Sequence, residues 1–137
     1  IKLSKKWADG PKTFLGLAVQ GFPNLFTITG PGSPSVFTNM ITSIEQHVDW
    51  IFDCLDYLDA NGIELIEASE KSEKDWVQHN QDMAKPHIRS SCSSWYMGSN
   101  VEGKPEVFLP YVGGFPAYVK KCEEISKSGY KGFLLTK

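Results

Sequence analysis

The residues best suited to chemistry lie in one stretch, where a loop rich in Gly and Pro, residues 30–35, leads into a long helix. The apolar run 25–29 before this loop predicts a buried strand. Thr38 or Asn39 is suited to cap the helix that follows. A helix start offers free N–H groups and a partial positive charge, which favour an electron-rich ligand. The same spacing is equally typical of a plain structural connection, so both interpretations stay open.

The three histidines do not suggest a metal site or a catalytic base. His79 and His87 have no cysteine or carboxylate at ligand spacing. His47 lies off the apolar stripe of the long helix, so we expect it to face solvent or sit at a boundary. No metal ligand is therefore predicted.

Neither serine nor cysteine chemistry is indicated. Ser33 is followed by Pro34 and does not fit the small-residue pattern of a nucleophile elbow. Cys92 has no histidine beside it, so a plain thiol is favoured over a nucleophile. We therefore predict no catalytic residue within these 137 residues.

The glycine pattern also falls short of a complete dinucleotide-binding fingerprint, because no G-x-G-x-x-G is present. Trp95 and Tyr96 lie in a long segment, 87–114, that is rich in Ser, Gly and Pro. They are suited either to stacking on a planar ligand or to plugging the loop onto the protein. Residue type alone favours the plug.

Composition sets the general class. The chain has 137 residues, 41% hydrophobic and 22% charged, with a net charge of −2, which is typical of one soluble globular unit. Such a charge gives no reason to expect binding to nucleic acid or to a membrane surface. Cys54, Cys92 and Cys122 are odd in number and widely spaced, as expected for reduced thiols of a cytoplasmic protein. The first residue, Ile1, and the polar opening suggest a piece of something longer.

The elements that position these residues form an α/β pattern. A helix is predicted over 41–61, because apolar residues recur three and four positions apart. Asn61 and Gly62 are suited to end this helix. The stripe expected to face the core comprises Met40, Ile41, Ile44, Val48, Ile51, Leu55 and Leu58.

Shorter elements flank the long helix. Residues 13–19 are compatible with a short strand, 133–135 with a closing strand or a tail packed on the body, and 63–68 with an edge strand or a connecting turn. Ser72 and Asp75 have the spacing of a capping box, which predicts a second helix from that point to Pro86. A third helix is predicted over 115–128, ended by Gly129.

Several motifs together resemble the type I Baeyer–Villiger monooxygenases, particularly the phenylacetone, steroid and cyclohexanone monooxygenases. They are GFPNLFTITGPGSPSVFTNM followed by SIEQHVDWI, then SWYMGSNVEGKP, LPYVGGF and GYKGF. They occur in order and cover nearly the whole chain, so the resemblance is specific. The family binds FAD and NADPH in two dinucleotide-binding domains and uses O2 to convert ketones to esters or lactones.

The resemblance implies roles for particular residues. Asn39 and Met40 would contact FAD at the start of the long helix, where N–H groups and the helix dipole favour an electron-rich flavin. Trp95 would donate its indole N–H to NADP, within a lid over 87–105. The residues expected to line the substrate side are Pro34, Ser35, Val36 and Phe37.

The resemblance also implies a division of the chain. Residues 1–62 would be the C-terminal part of the FAD domain, with 25–29 as its last strand, and 63–137 a helical and lid region packing on both cofactor domains. The fingerprints and catalytic groups of the family are expected outside this sequence, so the chain alone is expected to be inactive and to self-associate. A flavin-dependent N- or S-oxygenase and a non-enzymatic structural domain are the rival interpretations.

Overall fold

Four helices and a two-stranded antiparallel sheet make up the part of the chain described by the computed structural model, which comprises residues 1–86, 95–98, 102–103 and 105–137. His87 and Cys92, and most of the expected lid, lie outside these residues. The elements are α1 (Leu3–Lys6), α2 (Met40–Asn61), β1 (Leu65–Ala68), α3 (Glu70–Ala84), α4 (Phe115–Lys127) and β2 (Phe133–Thr136). This mixed architecture confirms the predicted α/β class.

The long helix α2 begins and ends where the sequence predicts. The side chain of Asn39 accepts hydrogen bonds from the backbone N–H groups of Ile41 and Thr42, so it is the N-cap. Gly62 follows the last turn with a φ of 61°, the left-handed conformation that a residue without Cβ adopts readily.

The face of α2 that packs on the protein is not the predicted apolar stripe. The buried side chains of α2 are Ser43, His47, Trp50, Cys54 and Leu58, and of these only Leu58 belongs to the stripe. Most of the stripe is exposed, with Ile41 at 66% of its surface. The solvent-facing position predicted for His47 is also wrong, because its side chain is 0% exposed. The physical reason is that α4 packs against the Ser43–Leu58 side.

Helix α3 begins earlier than predicted. Ser69, not Ser72, is the N-cap, and its Oγ accepts the backbone N–H of Ser72. Both serines offer a hydroxyl, but β1 ends at Ala68 and the helix begins at Glu70, so Ser69 occupies the N-cap position. The predicted capping box at Ser72 is therefore wrong by three positions.

The short sheet joins the end of the chain to its middle. β1 pairs with β2 in antiparallel register, from Leu65 opposite Thr136 to Ala68 opposite Phe133. Ile66 and Ala68 point into the core, while Leu65 is exposed. Of the alternatives left open for 63–68 and 133–135, the structure shows the strand in both. Helix α4 spans the expected segment with Tyr118, Cys122 and Ile125 buried.

The two other predicted strands, 13–19 and 25–29, are wrong. Residues 14–18 form a tight turn in which Phe14 bridges Ala18, with Leu15 and Gly16 at positive φ. In 25–29 the only pairing within the described residues is the bridge from Phe26 to Ala18. Thr29 has a φ of 53°, which interrupts an extended strand. The two segments pair with each other at this bridge instead of forming extended strands of a sheet.

A largely aromatic core holds these elements together. Its central members are Phe14, Trp50, Trp76, Tyr111, Tyr118, Tyr130 and Phe133, with Leu15, Leu17, Ile66 and Ile125 around them. Trp50 donates its indole N–H to the carbonyl of Cys122 at 3.0 Å, which ties α2 to α4. None of the helices that the structure describes is long and apolar enough to cross a membrane.

Candidate cofactor-facing site

The start of α2 leaves one backbone donor available. The Asn39 Oδ1 accepts the N–H of Ile41 at 3.0 Å and that of Thr42 at 3.5 Å. The N–H of Met40 has no hydrogen-bond partner among the described residues. Met40 is 39% exposed and lies at the positive end of the helix dipole.

The first half of the loop, residues 30–33, is anchored by a dense set of hydrogen bonds. The carbonyl of Gly32 accepts the Trp76 indole N–H at 3.0 Å and the Asn80 amide at 3.4 Å. The Pro31 carbonyl accepts the Thr13 hydroxyl at 2.5 Å. Gly32 has a φ of 81°, and a Cβ there would lie 2.8 Å from the Asn80 amide nitrogen and 3.2 Å from the Trp76 indole nitrogen, so a side chain is disfavoured at this position. This half of the loop is fixed to α3 and to the turn at 13–16.

The second half of the loop contains the residues expected on the substrate side. Pro34 is fully buried, Ser35 is half-buried and begins a single 3₁₀ turn with Val36 and Phe37, and Phe37 is 37% exposed. Nothing is described of the Val36 side chain. Of the three whose burial is described, Phe37 presents the largest exposed fraction.

A short segment, residues 107–111, connects this loop to Trp95. The N–H of Gly32 donates to the carbonyl of Leu109 at 2.6 Å, and the N–H of Tyr111 donates to the carbonyl of Ser33 at 2.8 Å. On its other side, the N–H of Leu109 donates to the carbonyl of Tyr96 at 2.8 Å. Two stretches that lie some sixty residues apart in sequence are thus joined through one backbone ladder.

Aromatic side chains extend this junction. The Phe37 ring lies 5.6 Å from the Tyr96 ring and 6.4 Å from the Phe108 ring, measured between centroids. Trp95 stacks on Tyr96 at 4.1 Å and is 51% exposed. Tyr96 is partly buried against the Phe37 ring, while Trp95 keeps an exposed face, so the stacking and plug interpretations both stay open. The structure brings Phe37 and Trp95 to one cluster, with Asn39 and Met40 two and three positions beyond Phe37.

Behind the loop, a buried hydrogen-bonded chain runs through His47. The N–H of Thr29 donates to His47 Nδ1 at 2.9 Å, and His47 Nε2 lies 2.9 Å from the Tyr118 hydroxyl. That hydroxyl donates to the carbonyl of Leu15 at 2.7 Å. All these contacts are satisfied when His47 is neutral with its proton on Nε2. Burial lowers the pKa of His47 to about 4, which keeps the ring neutral.

Sequence reasoning missed this histidine, although a signal for it was present. Ser43, His47, Trp50, Cys54 and Leu58 recur at spacings of four, three, four and four, which is itself a helical stripe. It mixes small, polar and aromatic residues, so a hydrophobic pattern does not reveal it.

The buried thiols offer no reactive group. Burial raises the pKa of Cys54 to about 11 and that of Cys122 to about 12. Both are free cysteines. Across the described ranges, no three His, Cys, Asp or Glu side chains are grouped so as to hold a metal ion.

Comparison with known proteins gives the geometry a context. The chain is 40% identical over 135 residues to acetone monooxygenase (methyl acetate-forming) of Gordonia sp., covering 98% of the chain and 25% of that protein. It is 35% identical over 133 residues to cyclohexanone 1,2-monooxygenase of Acinetobacter sp., covering 97% of the chain and 24% of that protein. The chain thus spans about a quarter of the length of these relatives. No family model matches.

Solved structures show the same fold in this segment. Oxidized steroid monooxygenase bound to NADP aligns with a TM-score of 0.91 at 45% identity, over 98% of the chain and 25% of that structure. A complex of OTEMO with FAD and NADP aligns with a TM-score of 0.88 at 30% identity, over 99% of the chain and 25% of that structure.

Proposed function

We propose that this chain serves in an FAD- and NADPH-dependent enzyme that oxidises ketones. Nearly its whole length is homologous to one segment of Baeyer–Villiger monooxygenases, and that segment makes up about a quarter of the length of the relatives compared above. One oxygen atom of O2 would be inserted beside the carbonyl to give an ester or lactone. The sequence resemblance to this family is confirmed by the relatives, and they do not favour an N- or S-oxygenase or a non-enzymatic domain.

The observation that carries the proposal is the junction between the start of α2 and Trp95. The loop that leads into this helix and the exposed Trp95 are joined through residues 107–111 and through the ring contacts of Phe37 and Trp95 with Tyr96. Every helix start leaves an N–H such as that of Met40 without a partner inside the helix, so this donor alone does not favour a ligand. The exposed face of Trp95 beside the loop is what favours cofactor binding over a plain connection.

The residues present fit an electron-rich flavin. When bound, FAD would supply the oxygen chemistry and NADPH the electrons. The Met40 N–H is a free donor at the positive end of a 22-residue helix. Asn39 would act by capping rather than by contact, because its Oδ1 is already engaged with the helix. Trp95 would donate its indole N–H to NADP.

The substrate side of the site would be formed by the second half of the loop. Phe37 would present an apolar ring to a ketone, next to Tyr96 and Phe108. Ser35 and Val36 precede it in the same 3₁₀ turn, and Pro34 would support that turn from beneath. These roles make ring size at position 37 a determinant of the ketones accepted.

The exposed stripe of α2 would meet the remainder of the enzyme. Residues 1–62 would belong to the FAD domain and 63–137 to a region that packs on both cofactor domains. In the chain alone this apolar surface is uncovered, so we expect self-association and no oxidation of ketones. The free, buried thiols of Cys54 and Cys122 support a cytoplasmic location.

A chimera tests the proposed function directly. This chain would replace the matching quarter of acetone monooxygenase, and NADPH-dependent conversion of ketones to esters would be measured beside the isolated chain. We expect FAD retention and ester formation by the chimera only. Ketone oxidation by the isolated 137 residues would contradict the proposal. Oxidation of sulfides or amines without ketones would support the rival oxygenase.

Substitution of Met40 tests the flavin contact. Met40→Pro removes the N–H at the first helical position, where proline is well tolerated and where Asn39 already has an extended backbone. Met40→Leu is the matched control, because it keeps the N–H and the side-chain size. We expect weaker FAD binding and a lower flavin reduction potential in the proline variant alone. Equal behaviour of the two variants would show that the N–H is not used.

A further inference from the structure

His47 has a direct link to the loop that carries the proposed site. Its Nδ1 accepts the N–H of Thr29, the residue immediately before Gly30. Because a backbone N–H is always a donor, Nδ1 must carry the lone pair, and the proton of the neutral ring lies on Nε2. The Nε2–H then donates to Tyr118, whose own proton goes to the Leu15 carbonyl.

The residue held by His47 is in a costly conformation. Thr29 has a φ of 53°, in the left-handed region that a β-branched residue rarely adopts. The bond to His47 fixes the peptide N–H of Thr29 and so stabilises this geometry. The direction in which the chain enters Gly30 depends on it.

The same helix also holds the other end of the loop. The loop leads directly into α2 at Met40, and His47 lies seven residues further along this helix. Seven residues rise about 10 Å along a helix axis. The loop is therefore attached to α2 at two points about two turns apart. It is joined to Met40 by the covalent chain and to His47 by the hydrogen bond from Thr29.

We propose that His47, in its neutral Nε2–H form, is a positioning residue that closes the loop 29–40 onto α2 and thereby sets where Met40 and Phe37 stand relative to flavin and ketone. It touches neither ligand and acts through Thr29. The bonds of Gly32 to Trp76 and Asn80 are independent of it, so its loss shifts the loop and does not unfold it. The proposal rests on the proposed function for its catalytic consequence.

Three variants separate positioning from plain stability. His47→Gln places its amide near the Nε2 position, toward Tyr118, and removes the acceptor that His47 Nδ1 offers to the Thr29 N–H. His47→Asn keeps an acceptor close to the Nδ1 position. Tyr118→Phe removes the other arm of the chain and leaves the Thr29 bond intact. Tyr118 and His47 are both 0% exposed, so each substitution perturbs a buried hydrogen bond.

The kinetic test uses the FAD-loaded enzyme carrying this segment. Because small displacements of reacting groups cost up to about a hundredfold in rate, we expect His47→Gln to lower kcat by about tenfold or more. We expect His47→Asn and Tyr118→Phe to stay within about threefold of wild type. Loss of kcat in all three variants in proportion to their melting temperatures would overturn the proposal. A wild type without ketone oxidation would instead overturn the proposed function.

Two measurements that do not need activity complete the test. Nitrogen NMR of the His47 ring in the full 137-residue chain should show an unprotonated Nδ1 and a protonated Nε2. Hydrogen exchange of the Thr29 amide should be slow in wild type and in Tyr118→Phe, and fast in His47→Gln. A proton on Nδ1, or a Thr29 amide unaffected by His47→Gln, would refute the inference even if no ketone is oxidised.

Discussion

The two faces of α2 have exchanged their expected roles. The inner face buries Ser43, His47 and Cys54 beside Trp50, while the outer face leaves Ile41 and Phe52 66% and 62% exposed. A helix normally turns its apolar side to the core of its own chain. Here most of the apolar side is exposed and is not covered by the described residues of the chain. Hydrophobic periodicity therefore shows which face needs a partner, without showing which partner covers it.

Packing chemistry explains why the more polar face can serve as the inner one. Ser43 and Cys54 are small, so α2 and α4 can approach closely. The polar groups of Trp50 and His47 are satisfied by the Cys122 carbonyl, the Tyr118 hydroxyl and the Thr29 N–H. A buried polar group that has its hydrogen bonds costs little.

The largest expected difference between the faces comes from their aromatic residues. Trp50→Ala should lower the free energy of unfolding by about 3–5 kcal/mol, because it opens a cavity in the aromatic core and removes the indole hydrogen bond that ties α2 to α4. The matched control, Phe52→Ala, should change it by no more than about 0.5 kcal/mol in the chain alone. Urea unfolding followed by circular dichroism measures both. Similar losses would show that the outer face is covered by contacts of this chain.

Acid should act through the inner face. The pKa of His47 is about 4 in the folded chain and 6.5 without the fold. Below pH 6.5 the unfolded chain therefore binds a proton at His47 that the folded chain does not, so acid favours unfolding. Stability is fully present above pH 6.5 and falls by about 2 kcal/mol between pH 7 and pH 5. His47→Asn should lose this pH dependence. Urea unfolding of both proteins at pH 7 and pH 5 measures it, and an equal fall in unfolding free energy in the two proteins would contradict the prediction.

The smallest effect on folding should come from polar substitutions on the outer face. Val48→Gln with Leu55→Gln should leave the unfolding free energy of the chain within about 1 kcal/mol, since both positions are exposed. The same pair should reduce self-association in light scattering. Within the FAD-loaded enzyme it should weaken folding or cofactor retention. Unchanged association would indicate that copies of the chain meet through another surface.

Much of the secondary structure could be predicted from local signals. Asn39 before an apolar-periodic run and Gly62 after it correctly bound α2, since caps depend on residues next to them. The same holds for α4 and the strand at Phe133. The closeness of the loop and Trp95 could be inferred only from the family resemblance. No local pattern indicates the ladder through Leu109.

What could not be predicted depends on contacts between distant residues. Ile66 pairs its carbonyl with the N–H of Asn24, and Thr27 bonds to Leu17, so 25–29 turns instead of extending. Burial of His47 requires Tyr118, which lies 71 residues further on. The burial and hydrogen bonding of His47 therefore depend on a residue distant in sequence and not on its neighbours along the chain.

The division of the loop into an anchored and a looser half has a consequence for how this site can change over generations. Residues 30–33 are bound to Trp76, Asn80 and Leu109, so substitutions there disturb several elements at once. Phe37 follows these anchors, and its ring contacts with Tyr96 and Phe108 are separate from the hydrogen bonds of residues 30–33. Ser35 has a φ of 35°, which restricts the side chains that fit there. Under the proposed function, substrate preference can therefore diversify by substitutions at position 37 at low cost in fold. A mutagenesis library that spares residues 30–35 and randomises residues 36 and 37 should retain a high fraction of folded members, and its activity on a panel of ketones would test this.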